Sequence, residues 1–267
     1  MSLEHLVGHH LGTRRTTYTA DNAALYALAV GAQPHQLDLV YERDLAPLPT
    51  YAAALGMWAT AAAAEAGGYG QVAVLHAAQS VEMFEPLPPA TTVEMSADIR
   101  MVYDKGASAI IEVVVASPFF RSTYSMFVRG GGNWGGERGP SADALDDRES
   151  RCVGSVQIDP RAAALYRLTG DRHPLHIDLQ VARAGGLRAP IVHGLCTFGT
   201  VIQAACESSG RSALDVTRAQ ARFITPVYPG ETLSLMTAQH DDQLTFSAAL
   251  AGAQVISGSM LLQEKSA

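Results

Sequence analysis

The sequence predicts an α+β protein in which two antiparallel sheets each wrap around one central helix. Three observations carry this expectation. Apolar residues alternate with period two in eight separate runs, the pattern of strands with one buried face. Two helical segments are apolar nearly all round, the pattern of buried helices. The chain also repeats itself at a shift of 140 residues.

At that shift Pro86, Pro89 and Thr92 fall on Pro226, Pro229 and Thr232, with Leu87 on Val227 and Val93 on Leu233. Tyr26, Leu28 and Pro34 fall on Tyr166, Leu168 and Pro174, and one residue further along Pro49 falls on Pro190. A constant offset at punctuating residues implies a duplicated domain. In chain order, the histidines His5, His9 and His10 are expected on a mobile tail. A helix follows over 50–66 (TYAAALGMWATAAAAEA), then strands over 72–81, 92–103, 108–116 and 121–128. Residues 130–150 (GGGNWGGERGPSADALDDRES) read as a linker, being dominated by glycine, proline, serine and charge. Beyond them come a turn over 166–178, a helix over 193–208 (HGLCTFGTVIQAACES), and strands over 216–224, 231–239, 243–250 and 253–263. The expected division is an N-terminal domain over 1–130, a linker over 131–150 and a C-terminal domain over 151–267.

Composition narrows the partners. With 267 residues, 48% of them hydrophobic, the chain can bury one large core or two small ones. A formal charge of −7 argues against nucleic acid, which calls for a basic footprint. No run of some twenty uncharged apolar residues offers a membrane span. Three cysteines without a CxxC pair fit a reducing, cytoplasmic setting rather than a disulfide framework. MSLEHLVGHHLGTRR lacks the apolar core of a secretory signal, and the final EKSA is not a peroxisomal address of the SKL kind.

The chemistry concentrates in Tyr166–Asp178, YRLTGDRHPLHID. A carboxylate, Asp171, and an imidazole, His176, stand five residues apart. Pro174 between them opposes a continuous helix, and Gly170 favours a fixed turn that could aim both groups at one spot. Proton chemistry on a bound water needs such a pair. On the 140-residue shift Asp171 falls on Gly31 and His176 on Gln36, so the second copy holds the chemistry and the first is free for substrate accommodation. Despite nine histidines, no Cys/His set has the spacing of a zinc site, and no metal is expected. Lys105, Arg183, Arg188 and Arg222 are the cations considered for phosphate groups. The glycines of FVRGGGNWGG lack the order of a phosphate loop and fit a hairpin-to-linker turn better.

YRLTGDRHPLHIDLQVA resembles the hydratase 2 signature of the MaoC-like dehydratases. PIVHGLCTFG is similar to the start of that family's central helix, and FITPVYPGETL to its following strand and turn. LYALAVGA, LPTYAAALG, VYDKGASAIIEV and FVRGGGNWGG extend the resemblance to the first half of the two-domain enzymes. It implies a double hotdog fold and a homodimer. It also implies reversible, cofactor-free hydration of trans-2-enoyl-CoA to (3R)-hydroxyacyl-CoA, so an acyl-CoA is the expected partner.

By this resemblance Asp171 and His176 handle the proton transfers. His176 is favoured as the base on water, with Asp171 orienting that water and relaying a proton; the sequence leaves the division of roles open. Gly194, at the start of the central helix, offers a first-turn N–H without an intrahelical acceptor, and the matching family position supplies the oxyanion hole. His193 shapes the turn or binds substrate, and Asp178 supports the loop. The sequence departs from the family at His173, where relatives carry an active-site Asn. Two other readings stay open: a 3-hydroxyacyl dehydratase on carrier-protein substrates, and a catalytically weak acyl-CoA-binding module.

Overall fold

The computed structural model describes residues 3–70, 74–140 and 150–264. Ten strands form among them: β1 His10–Tyr18, β2 Val74–Met83, β3 Thr91–Asp104, β4 Ser108–Ala116, β5 Phe120–Arg129, β6 Arg151–Gln157, β7 Val216–Phe223, β8 Thr232–His240, β9 Gln243–Leu250 and β10 Ala253–Leu262. The helices are α1 Ala20–Ala29, α2 Leu37–Val40, α3 Tyr51–Leu55, α4 Trp58–Ala66, α5 Ala162–Tyr166, α6 Leu179–Ala184 and α7 Gly194–Ser208. All eight predicted strands are present, except that residues 72 and 73 of the first lie outside the described residues. So do residues 141–149 of the expected linker.

Strand order explains the repeat. The first half runs β1-β3-β4-β5-β2 and the second β6-β8-β9-β10-β7, the same order twice. Each half is an antiparallel sheet curled about helices, and the fold is a double hotdog. The two sheets are not separate: β2 pairs with β7, from Ala78 opposite Arg222 to Glu82 opposite Arg218, making one ten-stranded sheet. Helices match as well, α1 with α5, α2 with α6, and α3–α4 with α7. The repeat-related tyrosines Tyr26 and Tyr166 meet where the halves join, their ring centres 5.9 Å apart.

Two strands, β1 and β6, escaped the sequence reading. They are the sheet's two edges, and neither shows apolar alternation because both faces are largely open to solvent. The N-terminal tail expectation is corrected by the same strand. Leu3 and Leu6 are buried around a 3₁₀ turn at Glu4–Leu6, and His10 begins β1 with its Nδ1 2.8 Å from Asp98 Oδ1.

The helix expected over 50–66 is broken into α3 and α4. Tyr124 Oη donates to the Ala53 carbonyl at 2.7 Å, taking the acceptor that Met57 N–H would use in a continuous helix. Met57 N–H turns to Ala54 O instead, at 3.3 Å. Gly56 permits the close approach: a Cβ there would lie 2.5 Å from the Tyr124 oxygen. The break positions α4 over the cavity described below.

The glycine run after β5 is organised by Asp104. Its carboxylate accepts from the N–H groups of Gly106, Asn133, Trp134 and Gly135 at 2.8–3.1 Å. Gly132 passes so close to the β3–β4 turn that a Cβ would stand 1.9 Å from Gly106 O. The run is a structural turn, as expected. No helix among the described residues is long and apolar enough to cross a membrane.

Candidate active site

The predicted turn forms from local signals. α5 ends at Tyr166, a 3₁₀ turn covers Arg167–Thr169, and Gly170 takes φ 137°, a conformation open to glycine. Pro174 then opens a second 3₁₀ turn, Pro174–His176, at the position where its missing N–H costs nothing. Asp171 Oδ1 accepts from His173 N–H at 3.1 Å, which closes the turn. Asp178 caps α6 by accepting from Gln180 and Val181 N–H, at 2.7 and 3.2 Å.

His176 Nδ1 lies 2.9 Å from Ile191 O. A carbonyl only accepts, so Nδ1 carries the proton and Nε2 keeps its lone pair. His193 stacks on His176, ring centres 3.7 Å apart and planes 24° apart. Its Nε2 lies 3.1 Å from the main-chain oxygen of Asp171, so the Nε2–H ties α7 to the turn. Tyr166 packs against His193 with ring centres 4.8 Å apart. Burial pushes the His176 pKa down, against the pull of the Asp171 carboxylate and the Ile191 carbonyl. Burial, then the neighbouring His176, push that of His193 down as well. Both rings are therefore neutral near pH 7, and His176 is free to act as a base.

Asp171, His176, His193 and Gly194 share the wall of one cavity of about 1030 Å³. Gly194 is the first residue of α7, so its N–H has no intrahelical acceptor. A Cβ there would reach the Phe223 ring at 3.4 Å, so the missing side chain leaves the backbone approachable. Ligand atoms of Asp171, His176 and His193 lie within 4.8 Å of one another, near enough for one metal ion. The stacked rings argue against that use: lone pairs lie in the ring planes, and nearly parallel planes converge poorly on a single ion.

His173 explains its own departure from the signature. Its Nδ1 accepts from Leu175 N–H at 3.2 Å, capping the second 3₁₀ turn. An asparagine Oδ1, at a similar reach from the backbone, makes the same bond.

The cations proposed from sequence are not brought to the cavity. Arg188 binds Glu231 at 2.7 Å and lies over Tyr228 at 3.8 Å. Lys105 sits at the β3–β4 turn, 3.4 Å from Pro140 O. Arg222 is exposed on β7 between Ala221 and Phe223, which face the interior, and Arg183 is exposed at the end of α6. Strand alternation places Arg222, an ion pair holds Arg188, and a turn and a helix end place Lys105 and Arg183, none of which a list of cations shows. The cations that do line the cavity are Arg14 and Arg172. His76 on β2 was also missed. It lines the cavity, packs on Phe223 at 5.0 Å, and burial lowers its pKa to about 4. A histidine interrupting the apolar run VAVLHAA was the available signal.

The MaoC like domain model matches residues 144–256, and the MFE-2 hydratase 2 N-terminal domain model matches residues 16–130. The chain is 34% identical over 252 residues to enoyl-CoA hydratase ChsH3 of Mycobacterium tuberculosis, covering 88% of each. It is 34% identical over 265 residues to peroxisomal multifunctional enzyme type 2 of Mus musculus, covering 90% of this chain and 35% of that enzyme, about a third of its length. Among solved structures, a MaoC-like dehydratase from Phytophthora capsici superposes with a TM-score of 0.83 at 24% identity, covering 98% of this chain and 99% of that one.

Proposed function

The chain belongs to the MaoC-like, hydratase 2 family, and from that premise we propose that it is an (R)-specific 2-enoyl-CoA hydratase, a hydro-lyase of fatty acid or sterol side-chain metabolism. The observation that carries this reading is the meeting of the Asp171 carboxylate, neutral His176 and the Gly194 N–H on one cavity wall.

A water between Asp171 and His176 gives its proton to His176 Nε2 as its oxygen bonds to the β-carbon of the enoyl thioester. The π electrons shift toward the thioester oxygen, and the Gly194 N–H at the positive end of α7 stabilises the developing charge. Asp171 orients the water and then relays to the α-carbon the proton that His176 has taken up, so the turnover ends with His176 neutral and Asp171 ionised. One water is added and nothing is oxidised or reduced, so the step needs no cofactor and no metal. His193 holds α7 against the turn rather than transferring a proton. The acyl chain runs along the first half, past Tyr51, Ala54, Leu55, Met57, Trp58 and Ala61, which line the same cavity. A homodimer and a cytoplasmic location complete the reading, although some relatives are named as peroxisomal.

The test follows loss of the conjugated enoyl-thioester absorbance with crotonyl-CoA and longer trans-2-enoyl-CoA esters, with the product resolved by chirality. A (3R) product is expected. A (3S) product, or release of free CoA without hydration, overturns the proposal. Light scattering on a sizing column checks the dimer.

A further inference from the structure

Arg14 lies on the inner face of β1, and the hydration step does not use it. Residues two apart on a strand share a face, so Arg14 and Thr16 point the same way as Tyr18, which is buried. That face looks toward α4, where the Arg14 guanidinium carbon stands 5.9 Å from the centre of the Trp58 ring. Both residues line the cavity that holds Asp171 and His176. Arg15, on the opposite face, is spent on Glu94 at 3.7 Å. Arg14 has no carboxylate partner among the described residues. A guanidinium is a permanent cation with a planar fork suited to an oxyanion, and here it faces a substrate cavity unpaired.

Arg14 is exposed on β1, the edge strand of the first half, and stands beside α4 rather than on the turn of the second half that carries Asp171 and His176. The α3–α4 wall near it is mostly apolar (Leu55, Met57, Trp58, Ala61, Ala64), with Thr60 on α4 and Thr16 and Thr17 on β1 as its hydroxyl groups, a lining that suits a hydrocarbon chain. The other cavity cation, Arg172, adjoins Asp171 on the catalytic turn, where the thioester and its CoA belong.

We infer that Arg14 is a specificity residue that binds an anionic group carried by the substrate far from its double bond, namely a carboxylate at the distal end of the acyl chain. The inference rests on the hydratase reading above and names a substrate class for it, the ω-carboxylated enoyl thioesters. The same guanidinium could serve a CoA phosphate, and the experiment separates the two sources.

kcat/KM is measured for trans-2-enoyl-CoA esters and their ω-carboxylated counterparts of equal length, from eight to sixteen carbons, with wild type, Arg14→Met and Arg14→Lys. At the length that reaches Arg14, Arg14→Met should lose roughly 10-fold to 100-fold on the ω-carboxylated ester alone, the worth of one charged hydrogen bond. Arg14→Lys should recover most of it. Unchanged rates on both esters overturn the inference. So does an equal loss on both; if that loss disappears with pantetheine thioesters, Arg14 serves the CoA phosphates. If wild type hydrates neither ester, the hydratase reading fails. Calorimetric binding of saturated decanoyl-CoA against decanedioyl-CoA then judges Arg14 by itself, and equal affinities in wild type overturn it.

Discussion

The turn after α5 and the turn after α1 hold equivalent places in the two halves, yet only the first has a carboxylate and an imidazole at the positions of Asp171 and His176; the second has Gly31 and Gln36 there. At 166–178 the Asp171 carboxylate and His176 Nε2 border a cavity of about 1030 Å³. At the counterpart, Gly31 stands for Asp171, and Gln36 spends its side-chain oxygen on Gln33 N–H at 2.7 Å. Gln36 borders a recess of about 350 Å³ with Asp38, Gln203 and Glu207, the α7 side of the same repeat geometry. The strand behind differs too: His76 lines the large cavity, while its counterpart at the 140-residue shift is the buried Val216. The two equivalent places therefore differ in size and lining, and the helix pair α3–α4 walls the larger cavity. The broken helix is part of that difference, since the continuous α7 fills the equivalent place on the other side.

The comparison can be broken most sharply at the working turn. Asp171→Asn and His176→Ala should each lower kcat by roughly 10²- to 10⁴-fold with the melting temperature little changed. Near-normal turnover in either would end the distinction between the two turns. Grafting the pair onto the other copy (Gly31→Asp with Gln36→His) in an Asp171→Asn background should restore no activity, because the small recess lacks the open cavity. It should also destabilise the protein by about 1–2 kcal/mol, since Gly31 has φ 101°. Restored hydration would show that the cavity, not the turn, is dispensable.

A milder effect comes from pH. His76, His176 and His193 all have pKa values lowered by burial, so the unfolded chain binds more protons than the folded one below the ordinary histidine pKa of 6.5. Stability is full above that value and is lost as pH falls toward about 4, the range reached by His76. Melting temperature measured between pH 7.5 and pH 4.5 should therefore fall with acidification, and His76→Phe should flatten the slope. A slope unchanged by that substitution would remove His76 from the account. The smallest effect is expected at His173→Asn. The cap to Leu175 N–H is preserved, so stability should stay within about 0.5 kcal/mol of wild type by denaturant titration. A larger loss would mean that the imidazole does more than cap.

Much of this was legible in advance. Strands with one buried face announce themselves by alternation, and α7 by its unbroken apolar surface, so both could be read residue by residue. The places of Asp171 and His176 on one turn and of Gly194 at a helix start were legible because a turn closed by Gly170 and Pro174 and a helix start are local features. The edge strands β1 and β6 were not legible, because an exposed strand has no burial pattern to show. The break at Gly56 was hidden because its cause, the Tyr124 hydroxyl, lies 71 residues from the carbonyl it captures.

By itself the sequence determined the repeat, the fold class and the placing of Asp171 and His176 on one turn, through the spacing of residues and which of them avoid water. The tertiary structure decided which cations line the cavity. Lys105, Arg183, Arg188 and Arg222 were the cations considered from the sequence, but none of them lines the cavity, whereas Arg14 and Arg172 do. The direction of a side chain and its choice of partner depend on chain segments far apart in sequence, and only the packed sheet brings those segments together.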